Sequence, residues 1–367
     1  MAAGQATAPI PSKRTRSGCV GPVDGRFEGV PCLPDGGQCI RIAGVACRAR
    51  EFCVRSLATL SNADITPLMN PENKADLIRA AKEIQAEGAK DAGALSFMAR
   101  MLVLATLPHS NPGRVPQFSR KNGHFKLVVQ PGPDMGIPYG SYPRLVLAWL
   151  TSEAVRTKSP ELELGDSLTA FMNELGLTPT GGRWGTITRL REQMKRLFSA
   201  RISAVREDEG RFQFSGLQVA SEVDLWWDPK QPDQAAVFGS TVRLTKPFFE
   251  EIVRRPVPVD MRALRALKKS PLGLDLYTWL TYRLSYLKDP TEISWRDLHT
   301  QFGADYNRVR DFTQKVKREL NKISTVWPEL RYETPRGRLR LYPCPPHVDR
   351  VESAAPEDLL DDPGAGS

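Results

Sequence analysis

Two stretches of this chain, 130 residues apart, are written to the same plan, so whatever unit the first builds the second must build again. Around Trp149 the sequence reads Pro143-Arg-Leu-Val-Leu-Ala-Trp-Leu-Thr151, and around Trp279 it reads Gly273-Leu-Asp-Leu-Tyr-Thr-Trp-Leu-Thr281. The same offset carries Asp166-Ser-Leu168 onto Arg296-Asp-Leu298. With eight residues fewer in the second copy, Leu190, Met194, Lys195, Arg196 and Phe198 fall on Phe312, Val316, Lys317, Arg318 and Leu320. Each copy reads as an apolar helix, a short strand, a small helix and a long basic helix, followed by strand-like sequence.

The charge is concentrated where the copies match. Overall the chain carries +9 with a pI near 9.3, which favours an anionic partner but decides little alone. From Gly181 to Arg201 there are six Lys/Arg against Glu192, and from Asp305 to Lys322 six against Asp305, Asp311 and Glu319. One such run is ordinarily a solvated helix face; two at matching places point to nucleic acid. With 367 residues, 41% of them apolar, there is material for two or three domains. No membrane span or signal-peptide core is seen, and residues 54–343 hold no Cys, so a reducing cytoplasm is the expected location.

Along the chain, Asn73–Ile84 and Leu95–Leu104 read as amphipathic helices, followed by a small hairpin of Gln117–Phe118 and His124–Val129. In the first copy Tyr142–Thr157 is a helix, Glu161–Leu164 a strand, and Ser167–Leu175 a helix capped by Asp166 and ended by Gly176. The Gly181-Gly182 turn then opens a long helix and leaves backbone N–H groups near its start, an arrangement that suits an anion. Its buried stripe is Ile187, Leu190, Met194, Leu197 and Phe198; Thr188, Arg189, Glu192, Lys195 and Arg196 lie opposite. Arg201–Arg206 and Arg211–Leu225 form a hairpin around an acidic tip, the expected wing, and Val237–Leu244 adds a strand. In the second copy Asn307–Ile323 buries Val309, Phe312, Val316, Leu320 and Ile323 and turns out Arg310, Asp311, Gln314, Lys317, Arg318 and Asn321. Its wing, around Pro335–Gly337, is basic through Arg336, Arg338 and Arg340.

The expected fold class is therefore α+β, with two tandem winged helix-turn-helix domains preceded by an N-terminal helical segment. The expected divisions are 1–68 as a leader, 69–138 as helices plus a hairpin, 139–256 and 257–346 as the two winged helices, and 347–367 as an acidic disordered tail. In the leader, Cys19, Cys32, Cys39, Cys47 and Cys53 crowd among Gly and Pro without zinc-knuckle spacing or a nearby His. It reads as disordered, with a non-native extension and a start at Met69 as the alternative, and no metal or other cofactor is expected. DNA contacts are expected from Arg183, Thr188, Arg189, Glu192, Lys195 and Arg196, and from Arg310, Asp311, Gln314, Lys317, Arg318, Asn321, Arg336, Arg338 and Arg340.

Gly140–Ser159 and Pro179–Phe198, two long blocks containing Ser-Tyr-Pro-Arg-Leu-Val-Leu-Ala-Trp-Leu-Thr and Thr-Gly-Gly-Arg-Trp-Gly-Thr-Ile-Thr-Arg-Leu, resemble the RepA-type plasmid replication initiators. The resemblance extends from about Met69 to Pro345. It implies binding to repeated duplex sites (iterons) at a plasmid origin, help in melting AT-rich DNA, and contact with the host replicative helicase and initiator. It also implies a homodimer in equilibrium with a monomer. Asn73–Leu104 is the expected dimer contact, the alternative being a helix pair packed on the first winged helix.

Enzymatic readings find little. There is no Gly-x4-Gly-Lys-Ser/Thr loop for nucleotide phosphates, and the four His are too scattered for a nickase metal pair. A non-enzymatic DNA-binding protein is expected, with a winged-helix transcriptional repressor, including self-repression, as the alternative.

Overall fold

The computed structural model describes residues 71–349, apart from 209, 228–229, 234–238 and 304–305, all within one compact unit, Ile65–Ser367. The leader with its cysteines, and the stretch beyond 349, lie outside the described residues. The chain begins with α1 (Pro71–Ala86), β1 (Leu95–Ala99), the short α2 (Arg100–Leu104) and a hairpin of β2 (Phe118–Asn122) and β3 (Phe125–Gln130). The first copy follows as α3 (Ser141–Thr157), β4 (Glu161–Glu163), α4 (Leu168–Glu174) and α5 (Thr186–Ser199). Four strands come next: β5 (Arg201–Asp208), β6 (Arg211–Gln218), β7 (Ala220–Asp224) and β8 (Thr241–Leu244). After α6 (Lys246–Arg254), β9 (Pro256–Asp260) and α7 (Met261–Leu267), the second copy runs α8 (Pro271–Leu284), β10 (Thr291–Ser294), α9 (Trp295–Phe302), α10 (Val309–Val326), β11 (Tyr332–Glu333) and β12 (Arg338–Leu341). The fold is α+β, with small antiparallel sheets among the helices.

The written repeat is also a topological one. In each copy a helix, a strand and two more helices lead to a three-stranded antiparallel sheet in which the last strand lies in the middle: β4-β8-β7 in the first, β10-β12-β11 in the second. The correspondence reaches further back than the sequence indicates. Each copy is preceded by a strand running directly into a helix (β1 into α2, β9 into α7), and these two strands pair antiparallel, Leu95 opposite Asp260 and Ala99 opposite Pro256. Two hairpins are peculiar to the first copy, and they find each other: β3 pairs with β5, giving the sheet β2-β3-β5-β6.

That pairing corrects the expected wing. The hairpin of β5 and β6 forms, but it belongs with β2 and β3, and the strands topologically matching the second copy's hairpin are β7 and β8. The chain leaves one sheet for the other at the buried Val219, where Thr245 ties both sides by donating its N–H to the Val219 carbonyl (3.2 Å) and its O–H to that of Gln218 (2.6 Å). Arg211–Leu225 is therefore two strands rather than one.

Leu95–Leu104 is half strand, half helical turn. Its apolar residues are buried nearly all round, so helical periodicity carries no information there, and pairing with β9 draws the first half into a strand. The cap of α4 is Ser167, whose Oγ accepts the Ala170 N–H at 3.1 Å, and not Asp166. Gly176 does end α4, with φ +69° and no room for a Cβ against the Arg265 side chain. Arg265 Nε also donates to the Glu174 carbonyl at 3.1 Å, and Lys268 Nζ donates to that of Gly176, so α7 supplies cations to the negative end of α4. Burial lowers the pKa of both side chains. Finally, of the segment Asn73–Leu104, α1 packs on α7 and α10, while β1 packs on α3 of the first copy.

Candidate nucleic-acid interface

The buried stripe of α5 is the expected one, and Gln193 joins it, its Oε1 accepting the Tyr139 N–H at 2.8 Å. The turn before α5 is pinned by three threonines. Thr186 N–H donates to Thr180 Oγ1 (2.9 Å), Thr180 N–H to Thr186 Oγ1 (2.9 Å), and Thr186 O–H to the Thr178 carbonyl (2.7 Å). A Cβ at Gly185 would lie 2.2 Å from the Thr180 carbonyl oxygen, and Gly182 sits at φ +87°, so both glycines are dictated by this turn. Because Thr180 also accepts the Ile187 N–H (3.3 Å), the first amides of the helix are already engaged. The Gly185, Thr186 and Ile187 amides are therefore not among the N–H groups expected to be free for an anion.

On the solvent side Thr188, Arg189, Glu192 and Lys195 are exposed. Arg189 folds back, Nε and Nη2 donating to the Trp184 carbonyl at 2.9 and 2.7 Å, and Thr188 O–H donates to that of Gly182 at 2.9 Å. Arg196 is turned inward. Its Nε donates to Glu192 Oε1 at 2.9 Å, its guanidinium lies 5.3 Å from the Tyr139 ring centre, and a Cβ at Gly136 would strike it. Arg196 therefore packs the 136–139 segment against α5. Arg183 stands exposed at the turn, 5.1 Å from the Trp184 ring centre.

In the second copy α10 buries Phe312, Val316, Leu320 and Ile323, but Val309 at its first turn is exposed, contrary to expectation. Arg310, Asp311, Gln314 and Arg318 are exposed. Lys317 is half-buried, its Nζ 5.9 Å from the Trp295 ring centre, and Asn321 accepts the Tyr332 O–H at 2.8 Å, holding α10 to β11. Glu319, fully buried, pairs with Lys315 (2.9 Å) and Lys322 (3.0 Å).

Of the basic hairpin residues, Arg336 is exposed at the turn, while Arg338 and Arg340 both grip Glu292 on β10, Arg340 Nε donating at 2.7 Å. The hydrogen bonds from Arg338 and Arg340 hold the Glu292 carboxyl below the usual carboxylate range. Sequence reading missed Glu292, although it sits directly opposite Arg340 in the ladder, a cross-strand charge pair visible once the register is known. It also missed Trp184, which lies off every buried stripe, between Arg183 and Gly185, and is 74% exposed.

The comparisons bear on the first copy most directly. Residues 137–297 match the family model described as "Plasmid encoded RepA protein". No curated protein matches the sequence. Among solved structures, a crystal structure of selenomethionine derivatives of domains 2 and 3 of RctB is 12% identical, with a TM-score of 0.46, covering 67% of this chain and 99% of that one. A second crystal structure of RctB domains 2–3 is 12% identical with a TM-score of 0.44, covering 66% and 97%. At that level neither carries an argument about this chain. The family match covers residues 137–297, less than half of the chain, and that segment is similar to plasmid-encoded RepA proteins.

Proposed function

We propose that this protein is a plasmid replication initiator that binds repeated duplex sites at an origin through two winged helices, one per copy. The observation that carries the reading is the recurrence of one topology, with the same strand order and a basic third helix after the turn, in α5 and in α10. In a winged helix that third helix enters the major groove, and the hairpin of the last two strands lies beside the backbone. On this reading the base-reading side chains are Arg189 and Glu192 on α5 and Arg310, Asp311, Gln314 and Arg318 on α10. Lys195, Lys317, Arg183, Arg336, Arg338 and Arg340 serve phosphates. Thr188, Arg196 and Asn321 hold these elements in place.

Binding without catalysis, melting of AT-rich DNA beside the repeats, recruitment of the host helicase and initiator, and exchange between dimer and monomer belong to the same proposal. They rest on the RepA-type segment. A repressor of the same architecture is the competing reading. Electrophoretic titration of direct repeats beside an AT-rich tract against a lone inverted repeat at a promoter separates the two. An initiator prefers the direct repeats and renders the adjoining tract reactive to permanganate; a repressor prefers the inverted repeat and leaves the tract closed.

A further inference from the structure

The largest apolar group held in solvent among the described residues is the Trp184 indole, 74% exposed. Exposed tryptophan on a floppy loop would need no explanation, but this loop is held on every side. The Trp184 carbonyl takes two hydrogen bonds from the Arg189 guanidinium, Gly185 N–H donates to the Gly182 carbonyl at 3.1 Å, and the Thr178–Thr180–Thr186 bonds close the turn. Gly185 has no space for a side chain. The backbone is over-determined while its bulkiest side chain touches no core, so the turn presents the indole rather than burying it.

What surrounds the indole is cationic. Arg183 lies over the ring at 5.1 Å, and Arg189 is fixed to its carbonyl. A largely exposed aromatic ring with a cation against one face suits a partner that is itself flat, aromatic and tethered to anions. That is a nucleobase on its phosphate backbone. An acidic protein surface would satisfy the cations and leave the indole face idle.

We infer that Trp184 is a nucleobase-stacking side chain, taking the face of a base that has come away from its neighbour at the leading end of α5. This inference rests on the reading of α5 as a DNA-facing helix and adds to it a contact that reads no hydrogen-bonding edge. It works best at steps that unstack easily, such as TA, so the turn would favour deformable sequence beside the groove contacts.

The test uses the full chain and duplexes that it selects from a random pool, with Trp184→Ala and Trp184→Phe as variants. Both variants should melt with the parent, since the side chain is exposed. Bound to a selected duplex, the parent should make one thymine reactive to permanganate and quench part of the tryptophan emission. Trp184→Ala should lose both signals and bind about tenfold to a hundredfold more weakly, while Trp184→Phe keeps the reactive thymine. Running the matching single strand separates the sources of the base: a loss confined to the duplex assigns it to a kinked step, an equal loss on both to opened DNA. A Trp184→Ala chain that binds as the parent does and leaves the same thymine reactive overturns the inference. A parent that selects no duplex sinks the functional reading instead.

Discussion

Arg144 on α3 and Asp275 on α8 form a two-pronged ion pair inside the protein, Nε to Oδ1 and Nη2 to Oδ2 each at 2.6 Å, joining the first helices of the two copies. Both are buried. The remaining donors of Arg144 reach the carbonyls of Leu107 (2.7 Å), Pro108 (3.2 Å) and Gly140 (2.6 Å), and His109 Nε2 lies 2.8 Å from Asp275 Oδ2. The Arg144 guanidinium nitrogens and both Asp275 oxygens are all engaged, the condition under which a buried charge pair is tolerable, while His109 Nδ1 is buried without a partner. The pair thus fixes how the two copies meet along α3 and α8, beside the pairing of β1 with β9.

Removing one partner should be severe. Arg144→Met leaves a buried carboxylate against His109 alone, and a loss of about 3–5 kcal/mol is expected, measured by urea unfolding. Replacing both, Arg144→Met with Asp275→Leu, should recover a large part of that loss.

The same pair sets an acid limit. Burial pushes the Asp275 carboxyl up, but the Arg144 charge and the hydrogen bonds from His109 and Arg144 outweigh it, so its pKa is lowered. A carboxylate depressed in the folded state stabilises fully above its unfolded value of about 3.9, and that stability is lost as pH falls through the folded value. Asp275→Asn should therefore be less stable than the parent at neutral pH, and the difference should begin to close only as pH falls below about 4. A constant difference from pH 7 to 3 would contradict this account.

The legible part of the fold was what local pattern controls: the repeat, the stripes of α5 and α10, Gly176 as a helix end. What escaped reading is what distant segments decide. Nothing around Glu207–Gly210 says that β5 will pair with β3, since any alternating strand can join any sheet edge. Pro256 and Pro258 mask β9, yet in a two-stranded ribbon the missing N–H groups can face away from the partner. The outward residues of α5 were legible by angle, but Arg196 was drawn inward by Tyr139 and Gly136, residues far off in sequence.

The packed chain runs past residue 346. His347 is partly buried with its ring against Trp327, its Nδ1 accepts the Tyr277 O–H (2.7 Å), and its Nε2 donates to the Val326 carbonyl (3.1 Å). Burial lowers its pKa, so the folded protein favours the neutral ring. The sign follows: this contribution is full above the unfolded value of about 6.5 and fades as pH falls below it. His347→Gln should reduce the slope of stability against pH between 6.5 and 5, as read from melting temperatures across that range.

Glu292 restrains the cations of the second hairpin. Glu292→Ala should free Arg338 and leave Arg340 with its weaker Glu333 contact at 3.4 Å, tighten binding to random duplex, and steepen its dependence on salt by about one unit in the logarithmic slope. Unchanged binding to random duplex would place that hairpin away from DNA.

The central claim is that α5 and α10 both read one duplex, and the most direct measurement is a binding titration on cognate and random duplexes across a salt series. The proteins compared are the parent, Arg189→Ala, Arg318→Ala and Lys195→Ala. Each arginine change should cost about 1–3 kcal/mol on the cognate duplex and much less on random sequence, relaxing preference at separate base pairs. Lys195→Ala should weaken both duplexes alike and flatten the salt slope by about one unit. If Arg189→Ala and Arg318→Ala leave cognate affinity and preference unchanged, the two helices are not the reading elements and the account fails.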